Sequence, residues 1–295
     1  MKLQHLCDAA GMSRQGFLKW RGQKVLRRYI TPEAEVLELA RMVRKQYLPG
    51  AGARQLYRYI RRSPTLNEKL IGWGKHRFED LCYGNGLTIR KIRFIPKTTQ
   101  RGEFVFENLI AGMEVRNINQ VLVSDICYVF GSNGQLLGYA TTLMDIYSRL
   151  LSGLSFSQDM QAINTTIPVL KQAFTCRGIQ ALKGAVLHSD GGKQYIQKDF
   201  LKAIKKAGMI SSMAANCYEN AHAEALNDTL KNHLLIDLNL NSFAQLKKHE
   251  TFIKNVYNYN KTHSGIGNMT PVAYEQMIGS LQTYQRTILK IKPIQ

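Results

Sequence analysis

The order of strand-like and helix-like segments after residue 119 constrains the fold more than any other feature of this sequence. Three β-rich apolar runs are joined by short connections, at residues 120–130, 135–147 and 150–157, which predicts an antiparallel meander. Helix-like and strand-like segments then alternate, at residues 161–176, 184–190, 197–207, 209–215 and 220–235. This order predicts a sheet that contains both antiparallel and parallel strands.

We therefore expect an α/β fold with a mixed five-stranded sheet flanked by helices, the arrangement of ribonuclease-H-like domains. Apolar residues make up 44% of the 295 residues, enough to bury such a core. The sequence shows neither a membrane-spanning run nor a signal-peptide core, and its five scattered cysteines form no C-x-x-C pair. These features predict a cytoplasmic protein whose cysteines are buried in a reducing compartment and hold no zinc.

Positive charge is concentrated in the N-terminal third of the chain. Residues 1–110 contain 22 Lys and Arg against 9 Asp and Glu, which is +13 of the total net charge of +19. Because so many like charges repel one another, this excess favours a nucleic-acid partner. A membrane surface is the weaker alternative, since no long basic amphipathic helix with an aromatic face is visible.

Residues 1–30 have the pattern of a helix-turn-helix, in which Gly11 ends one helix and Ser13 can cap the next. An ordinary helical hairpin is the alternative. Residues 31–86 follow as a basic helical region. Helices are predicted over 32–47, from the turn at 49–54 to residue 62, and around 65–83. The candidate DNA contacts in these two segments are Arg14, Lys19, Arg21, Arg54 and Arg58.

Three acidic residues occupy positions where a purely structural role would be unusual. Asp125 lies inside the apolar run VLVSDICYV, where an unpaired charge costs several kcal/mol. Asp190 ends the strand GAVLHSD and is followed by two glycines, which allow a ligand to approach closely. Glu224 lies on a predicted helix between alanines that would let the helix approach the sheet.

Carboxylates that are gathered at one place need cations among them in order to ionise together. A donor set of oxygen atoms selects Mg²⁺ or Mn²⁺ over zinc. Two such ions can activate a nucleophilic oxygen and stabilise the leaving oxygen of a phosphoryl transfer. The three acids therefore predict a two-metal site for phosphodiester chemistry, in agreement with the basic charge.

Several short motifs of the chain point to one known protein family. They are DICY at 125–128, HSDGG at 188–192 with Gln194 and Tyr195, NCYENA at 216–221 leading to Glu224, and YN, HS and TP at 259–260, 263–264 and 270–271. Together with GMSRQGFLKW and PGAGARQLYRYI near the N-terminus, they cover nearly the whole chain. The chain resembles the OrfB-type transposases of bacterial insertion sequences, the insertion-sequence-three family. These proteins share the DDE catalytic core of retroviral integrases.

The resemblance implies that Asp125, Asp190 and Glu224 form the metal-binding triad. It also implies that Lys231, seven residues after Glu224, is the basic residue that contacts DNA near the reacting end. A solvated surface lysine is the alternative for Lys231. The residues that follow the two glycines are further candidate DNA contacts, namely Lys193, Gln194 and Tyr195, although Tyr195 has packing as an equal alternative.

Two points of this assignment have competing interpretations. Only 33 residues separate Asp190 from Glu224, two fewer than is usual in the family, so Glu219 is an alternative third acid. We prefer Glu224 because it lies deeper in the predicted helix. His188 is interpreted as orienting Asp190 or contacting DNA, and His222 as a helix-surface residue; neither is assigned to the metal.

The resemblance further implies a DNA transposase that cleaves insertion-sequence ends and transfers the freed 3′-hydroxyl, through a circular intermediate. The alternatives are a catalytically idle, transposase-derived DNA-binding protein and a ribonuclease-H-like nuclease. Because two DNA ends must be held at once, we expect at least a dimer on DNA, which binds terminal inverted repeats and target DNA in a prokaryotic cell. The expected division is a helix-turn-helix at 1–30, a basic helical region at 31–86, a linker at 87–118, the catalytic core at 119–236 and a helical extension at 237–295.

Overall fold

The computed structural model describes residues 7–8, 10–20, 30–89, 106–214 and 220–293. The chain divides into two compact units. The first consists of Met1–Gln46 and Ala51–Thr88, and the second of Tyr47–Gly50 and Ile89–Gln295.

The described part of the predicted helix-turn-helix shows both local features that the sequence predicts, the break at Gly11 and the cap at Ser13. Gly11 has a positive φ of 60°, and helix α1 at residues 14–20 follows it. The Ser13 hydroxyl accepts a hydrogen bond from the Gly16 N–H at 3.0 Å, as an N-cap residue does. The predicted break and cap are therefore present, whereas residues 21–29, which include Arg21, lie outside the described residues.

Helices build the rest of the first unit: α2 (Glu33–Gln46), α3 (Ala53–Arg62), α4 (Pro64–Asn67), a 3-10 turn (Glu68–Leu70) and α5 (Lys75–Gly84). The prediction of one helical segment around 65–83 is wrong, because the chain leaves the helix at Gly72, whose φ is +76°. Trp73 follows in the core, and its indole N–H donates to the Thr31 carbonyl at 2.7 Å. The interruption thus lets a large aromatic side chain enter the core of this unit.

The second unit contains the predicted five-stranded sheet. A short strand, β1 (Glu114–Val115), precedes it, and the sheet itself consists of β2 (Val121–Phe130), β3 (Leu136–Asp145), β4 (Leu151–Ser157), β5 (Val186–Ser189) and β6 (Ile210–Met213). The strand order is β4-β3-β2-β5-β6. Strands β2, β3 and β4 pair antiparallel, and β5 is parallel to both β2 and β6. This topology confirms the ribonuclease-H-like α/β fold and makes β2 the central strand.

Helices cover the two faces of the sheet. They are α6 (Thr166–Arg177), α7 (Lys198–Lys206) and α8 (Ala221–Thr229), which continues as a π-helix over Leu230–Leu235. Leu122 of β2 packs into a core cluster with residues of α6 and α7, such as Leu170 and Phe200. Side chains alternate along a strand, so Asp125 points away from this cluster, and α8 packs against β2.

The C-terminal region of this unit is helical, as predicted. Its elements are α9 (Phe243–Lys248), α10 (Glu250–Asn255), a π-helix (Val256–Asn260), a 3-10 turn (Ser264–Ile266), α11 (Pro271–Gly279), a 3-10 turn (Thr283–Gln285) and β7 (Leu289–Lys290), which pairs with β1. The chain leaves the helix at His249, between α9 and α10. Arg177 of α6 forms a bidentate ion pair with Glu275 of α11, with both nitrogen–oxygen distances at 2.6 Å. This ion pair holds α11 against the core.

Two further expectations concern cysteines and membranes. Cys7, Cys82 and Cys127 are buried, as predicted, but Cys176 is exposed, so the prediction of burial is wrong for Cys176. In the part of the chain that the structure describes, no helix combines the length and the apolar character that crossing a membrane requires.

Candidate active site

The register between β2 and β5 brings Asp125 next to Asp190. Ser124 pairs with Ser189 in this parallel ladder, so the residues that follow them, Asp125 and Asp190, are neighbours across the sheet. Adjacent strands lie about 4.8 Å apart, which is close enough for two carboxylates to interact strongly. Asp190 comes directly after β5, where the strand has ended and the side chain is half-buried.

The Asp125 carboxylate is the electrostatic centre of the site. Loss of solvent raises its pKa to about 7, and the negative charges of Asp190 and Glu224 act in the same direction. Lys231 acts against them and lowers the pKa. All three other members of the predicted cluster are therefore near enough to Asp125 to change its ionisation.

Two hydrogen bonds fix the orientation of the Asp125 side chain. Its Oδ1 accepts the backbone N–H of Ile126 at 2.8 Å, and its Oδ2 accepts the Nδ2 amide of Asn227 at 2.6 Å. Asn227 lies on α8, three residues after Glu224, so the same helix carries one predicted ligand and orients another. Asn227 was not predicted as a site residue, although its spacing of three from Glu224 is a signal that could have identified it.

The Asp190 carboxylate is held by the turn that follows it. The Gly192 N–H donates to Asp190 Oδ1 at 3.1 Å and lowers the carboxyl pKa, but loss of solvent raises that pKa by more. A Cβ at Gly192 would lie 3.0 Å from both Asp190 Oδ1 and Gln194 Oε1. The absence of a side chain at this glycine therefore leaves room for the Asp190 carboxylate.

Glu224 is an exposed residue in the first turn of α8. The start of this helix is joined to β2, because the Asn220 side-chain amide donates to the Ser124 carbonyl at 3.4 Å. The alternative third acid, Glu219, lies outside the described residues. The structure thus places the helix that carries Glu224 beside β2.

Lys231 lies in the π-helix that continues α8 and is half-buried. Burial raises the pKa values of Asp125 and Cys127, and the charge of Lys231 opposes the rise at both residues, so its ammonium group acts on the site from the continuation of the helix that carries Glu224. The sequence pattern predicts an ordinary helix at this point. Single π-helical turns inside α-helices are frequent at functional sites.

A metal ion fits this site by the chemistry of its donors. The charges of Asp190 and Glu224 add to desolvation in raising the proton affinity of Asp125, and the charge of Lys231 opposes them. Within the described residues, no group of three His, Cys, Asp or Glu side chains has an arrangement that could hold a metal ion. The oxygen donors therefore match Mg²⁺ or Mn²⁺ in type, while the carboxylates would have to move closer together to bind either ion.

The three predicted DNA contacts next to the glycines have different environments. Lys193 is exposed and Gln194 is half-buried. Tyr195 is only 2% exposed; its hydroxyl lies 2.9 Å from the Ser124 Oγ, and its ring packs edge-on against Phe200. The prediction of a DNA contact is therefore wrong for Tyr195, because its side chain belongs to the core, which is the packing alternative.

His188 and His222 also differ from what the sequence suggested. His188 is fully buried and its Nδ1 lies 2.9 Å from the Ser212 Oγ, so contact with DNA is excluded in this structure. His222 is half-buried, and its Nδ1 lies 2.5 Å from Arg149 Nη1. The interpretation of His222 as a simple surface residue is therefore wrong.

The predicted DNA contacts of the first unit lie on two helices. Arg14 and Lys19 are exposed on α1. On α3, Arg54 is exposed and forms a 3.4 Å ion pair with Glu79, and Arg58 is half-buried. These positions leave the guanidinium and ammonium groups on α1 accessible to DNA.

Comparison with family models identifies the central part of the chain. Two models described as "Integrase core domain" match residues 116–216 and 210–271. The matched regions contain Asp125, Asp190, Glu224 and Lys231.

Curated relatives come from bacterial insertion elements. The insertion element IS600 uncharacterized 31 kDa protein of Shigella sonnei is 27% identical over 277 residues, which are 92% of this chain and 97% of that protein. The transposase for IS904 of Lactococcus lactis is 28% identical over 163 residues, 54% of this chain and 62% of that protein. Transposase InsF for IS3A of Escherichia coli is 28% identical over 160 residues, 53% and 54% of the two chains. The matches to these two transposases thus span little more than half of their length.

Solved structures with a similar chain path come from retroviral integrases. The HTLV-2 integrase catalytic core domain in complex with magnesium has a TM-score of 0.40 and 17% identity, and covers 54% of this chain and 97% of that one. The simian T-cell lymphotropic virus intasome in complex with PP2A regulatory subunit B56 gamma has a TM-score of 0.45 and 15% identity, with 86% and 78% covered.

The two integrase-core matches indicate a polynucleotidyl transferase of the DDE type. Matches to insertion-element proteins narrow the class further. The chain carries an integrase core domain and is similar to transposases of bacterial insertion sequences; it is a DNA transposase.

Proposed function

We propose that this transposase cleaves the ends of its insertion element and joins the freed 3′-hydroxyl to a second phosphodiester, with Asp125, Asp190 and Glu224 as the metal-binding triad. The observation that carries the proposal is the register of β2 and β5, which makes Asp125 and Asp190 neighbours, together with the packing of α8, the helix of Glu224, against β2. Desolvation and the charges of Asp190 and Glu224 raise the pKa of Asp125 to about 7, which agrees with this arrangement. A cluster of acids around the desolvated Asp125 carboxylate, with one opposing lysine, favours the binding of cations.

The three carboxylates would hold Mg²⁺ or Mn²⁺, two ions per site. Bound ions of this kind activate the attacking oxygen and stabilise the leaving oxygen of an in-line phosphoryl transfer. The protein supplies the orientation: Asn227 and the Ile126 N–H fix Asp125, and the Gly192 N–H fixes Asp190. Lys231 contacts a DNA phosphate near the reacting end and offsets part of the negative charge.

The two chemical steps balance without a nucleotide cofactor. In the first step, water attacks the phosphodiester at an element end, the bond from phosphorus to the 3′-oxygen breaks, and a 3′-hydroxyl and a 5′-phosphate remain. In the second step, this 3′-hydroxyl attacks another phosphodiester, one phosphorus–oxygen bond forms, one breaks, and a new 3′-hydroxyl leaves. Attack on the other element end gives the circular intermediate.

We propose that end recognition resides in the basic first unit. The exposed Arg14 and Lys19, together with Arg21, Arg54 and Arg58, would bind the terminal inverted repeat, and Lys193 and Gln194 would contact DNA near the cleaved end. The proposed division of the chain follows these roles. It consists of a helix-turn-helix at 1–30, a basic helical region at 31–86, a linker at 87–118, the catalytic core at 119–236 and a helical extension at 237–295.

One catalytic unit has one site, whereas joining requires two DNA ends. We therefore propose that at least two copies of this chain assemble on DNA, at the nucleoid of a prokaryotic cell. Mixing an Asp190→Asn chain with a chain that lacks residues 1–60 would test action in trans. Restored joining in the mixture is expected, while continued inactivity of two chains that both bind DNA would contradict it.

The catalytic assignment is tested with labelled element-end DNA and Mg²⁺. Asp125→Asn, Asp190→Asn and Glu224→Gln should each abolish cleavage and joining and leave DNA binding nearly intact, because binding rests on phosphate contacts elsewhere. Asp199→Asn, at an exposed acid on α7, is the matched control and should remain active.

Three outcomes would contradict the assignment. Loss of joining in Glu219→Gln with normal joining in Glu224→Gln would move the third ligand to Glu219. Cleavage without joining in the wild-type protein would indicate a nuclease. DNA binding without either reaction would indicate a catalytically idle protein.

A further inference from the structure

Arg149 has an unusual backbone conformation for an arginine. Among the described residues, the non-glycine residues with positive φ are Arg149, at +62°, and three asparagines at positions 119, 239 and 268. Asparagine tolerates the left-handed region, whereas a longer side chain pays for it in steric crowding at Cβ. A strained residue that keeps a bulky side chain points to a role for that side chain.

The turn that carries Arg149 is firmly held. Asp145 Oδ1 accepts the backbone N–H groups of Tyr147 and Ser148, both at 2.9 Å, and the Asp145 N–H donates to the Leu150 carbonyl at 2.9 Å. These bonds close the connection between β3 and β4. The direction in which the Arg149 side chain leaves the backbone is therefore fixed by its surroundings.

The Arg149 guanidinium reaches helix α8. Its Nη1 lies 2.5 Å from His222 Nδ1, and because a guanidinium can only donate, Nδ1 must be the acceptor and Nε2 must carry the imidazole proton.

His222 lies on the side of α8 away from Glu224. The two residues are two positions apart, which is a rotation of about 200° around the helix axis. On the other side of the helix, Asn220 donates to the Ser124 carbonyl and Asn227 donates to Asp125. The first turn of α8 is thus held from both sides, and the rotation of the helix sets where the Glu224 carboxylate lies.

We propose that Arg149 is a positioning residue for DNA joining: through His222 it fixes the start of the helix that carries Glu224. This inference rests on the proposed function, since it takes Glu224 as a member of the catalytic triad. Arg149 acts through the helix and does not contact the reacting atoms.

Three variants test the proposal: Arg149→Asn, His222→Ala and the double variant. Asparagine accepts the left-handed backbone, and alanine is a strong helix former at a half-exposed helical position, so both changes preserve the local fold. Arg116→Asn is the matched control, because Arg116 is an exposed arginine whose partner is Glu114. His222→Ala alone carries the test if Arg149→Asn does not fold.

Two properties are measured. The first is hydrogen exchange of the α8 amides in the free protein, and the second is the single-turnover rate of joining on pre-cleaved ends at saturating DNA. Each single variant should exchange α8 faster and join about 10- to 100-fold more slowly, at unchanged DNA affinity. The double variant should be no slower than the slower single variant, because both residues act through one contact. Arg116→Asn should match the wild type.

Wild-type exchange and wild-type joining rates in both single variants would overturn the proposal, and so would rate losses that multiply in the double variant. Failure of the proposed function is distinguishable from failure of this inference. If Glu224→Gln joins DNA normally, the assignment of Glu224 is wrong. If Glu224→Gln is inactive and both Arg149→Asn and His222→Ala are normal, only the positioning role is wrong.

Discussion

The raised pKa of Asp125 makes the stability of the metal-free protein depend on pH in a predictable direction. The pKa rises from 3.8 to about 7 on folding. The folded state thus binds the Asp125 proton more tightly than the unfolded state does. Stability from this group is fully present below pH 4 and is lost as the pH rises towards 7.

The size of the loss follows from the shift. About three pKa units at about 1.4 kcal/mol each give an upper limit of about 4 kcal/mol. Asp125→Asn removes the titration, so the variant should be more stable than the wild type at pH 8 by up to this amount and similar to it at pH 4. Added Mg²⁺ should reduce the difference at pH 8, because the ion binds the native site.

The assay must report on the catalytic unit, since the two tryptophans, Trp20 and Trp73, lie in the other unit. Each protein is equilibrated in urea at pH 4 to 8 with a chelator, and a brief deuterium pulse at one fixed pH then reports unfolding through peptides of β2. Asp199→Asn serves as the control and should follow the wild type. Equal losses of stability between pH 4 and 8 in the wild type and in Asp125→Asn would refute the reasoning.

Three further changes have defined outcomes. Asn227→Leu removes the amide donor to Asp125 and should slow single-turnover joining about 10-fold or more. The reason is that a hydrogen bond to a charged group contributes about 1.5–3 kcal/mol. An unchanged joining rate would contradict this role of Asn227. Gly192→Ala places a methyl group 3.0 Å from the Asp190 carboxylate, so joining should fall while urea unfolding stays near wild type; normal joining would mean that the carboxylate can shift without cost. Arg14→Ala should weaken binding to element-end DNA and reduce the salt slope by about 1, with joining of pre-cleaved ends unchanged; equal loss on random DNA would contradict sequence recognition by α1.

The sheet was predictable because its signals are local. Three β-rich apolar runs separated by short turns define the strands of the meander. The alternation of helix-like and strand-like segments after residue 160 defines the parallel strands of the sheet. The interruptions at Gly72 and His249 were not predictable from periodicity, since each depends on how the flanking helices pack. The same holds for the π-helices after α8 and α10, because their sequences have ordinary helical patterns.

The candidate site was predictable where residue type alone gave the signal. A carboxylate inside an apolar strand, such as Asp125, and an acid before two glycines, such as Asp190, stand out without a structure. Contacts between distant elements gave no such signal. Tyr195 belongs to the core because the turn after β5 directs it towards Ser124, and the roles of Asn227 and of the Arg149–His222 contact depend on the rotation of α8.

The most direct test of a shared metal site is a Mg²⁺ titration followed by carbon-13 NMR of labelled carboxyl groups in the wild-type protein and in Glu224→Gln. The resonances of Asp125, Asp190 and Glu224 should shift together at one Mg²⁺ concentration, and Glu224→Gln should move the shifts of both aspartates to higher Mg²⁺. If Asp125 and Asp190 respond while Glu224 does not, or if none of the three responds, the triad assigned to this transposase is contradicted.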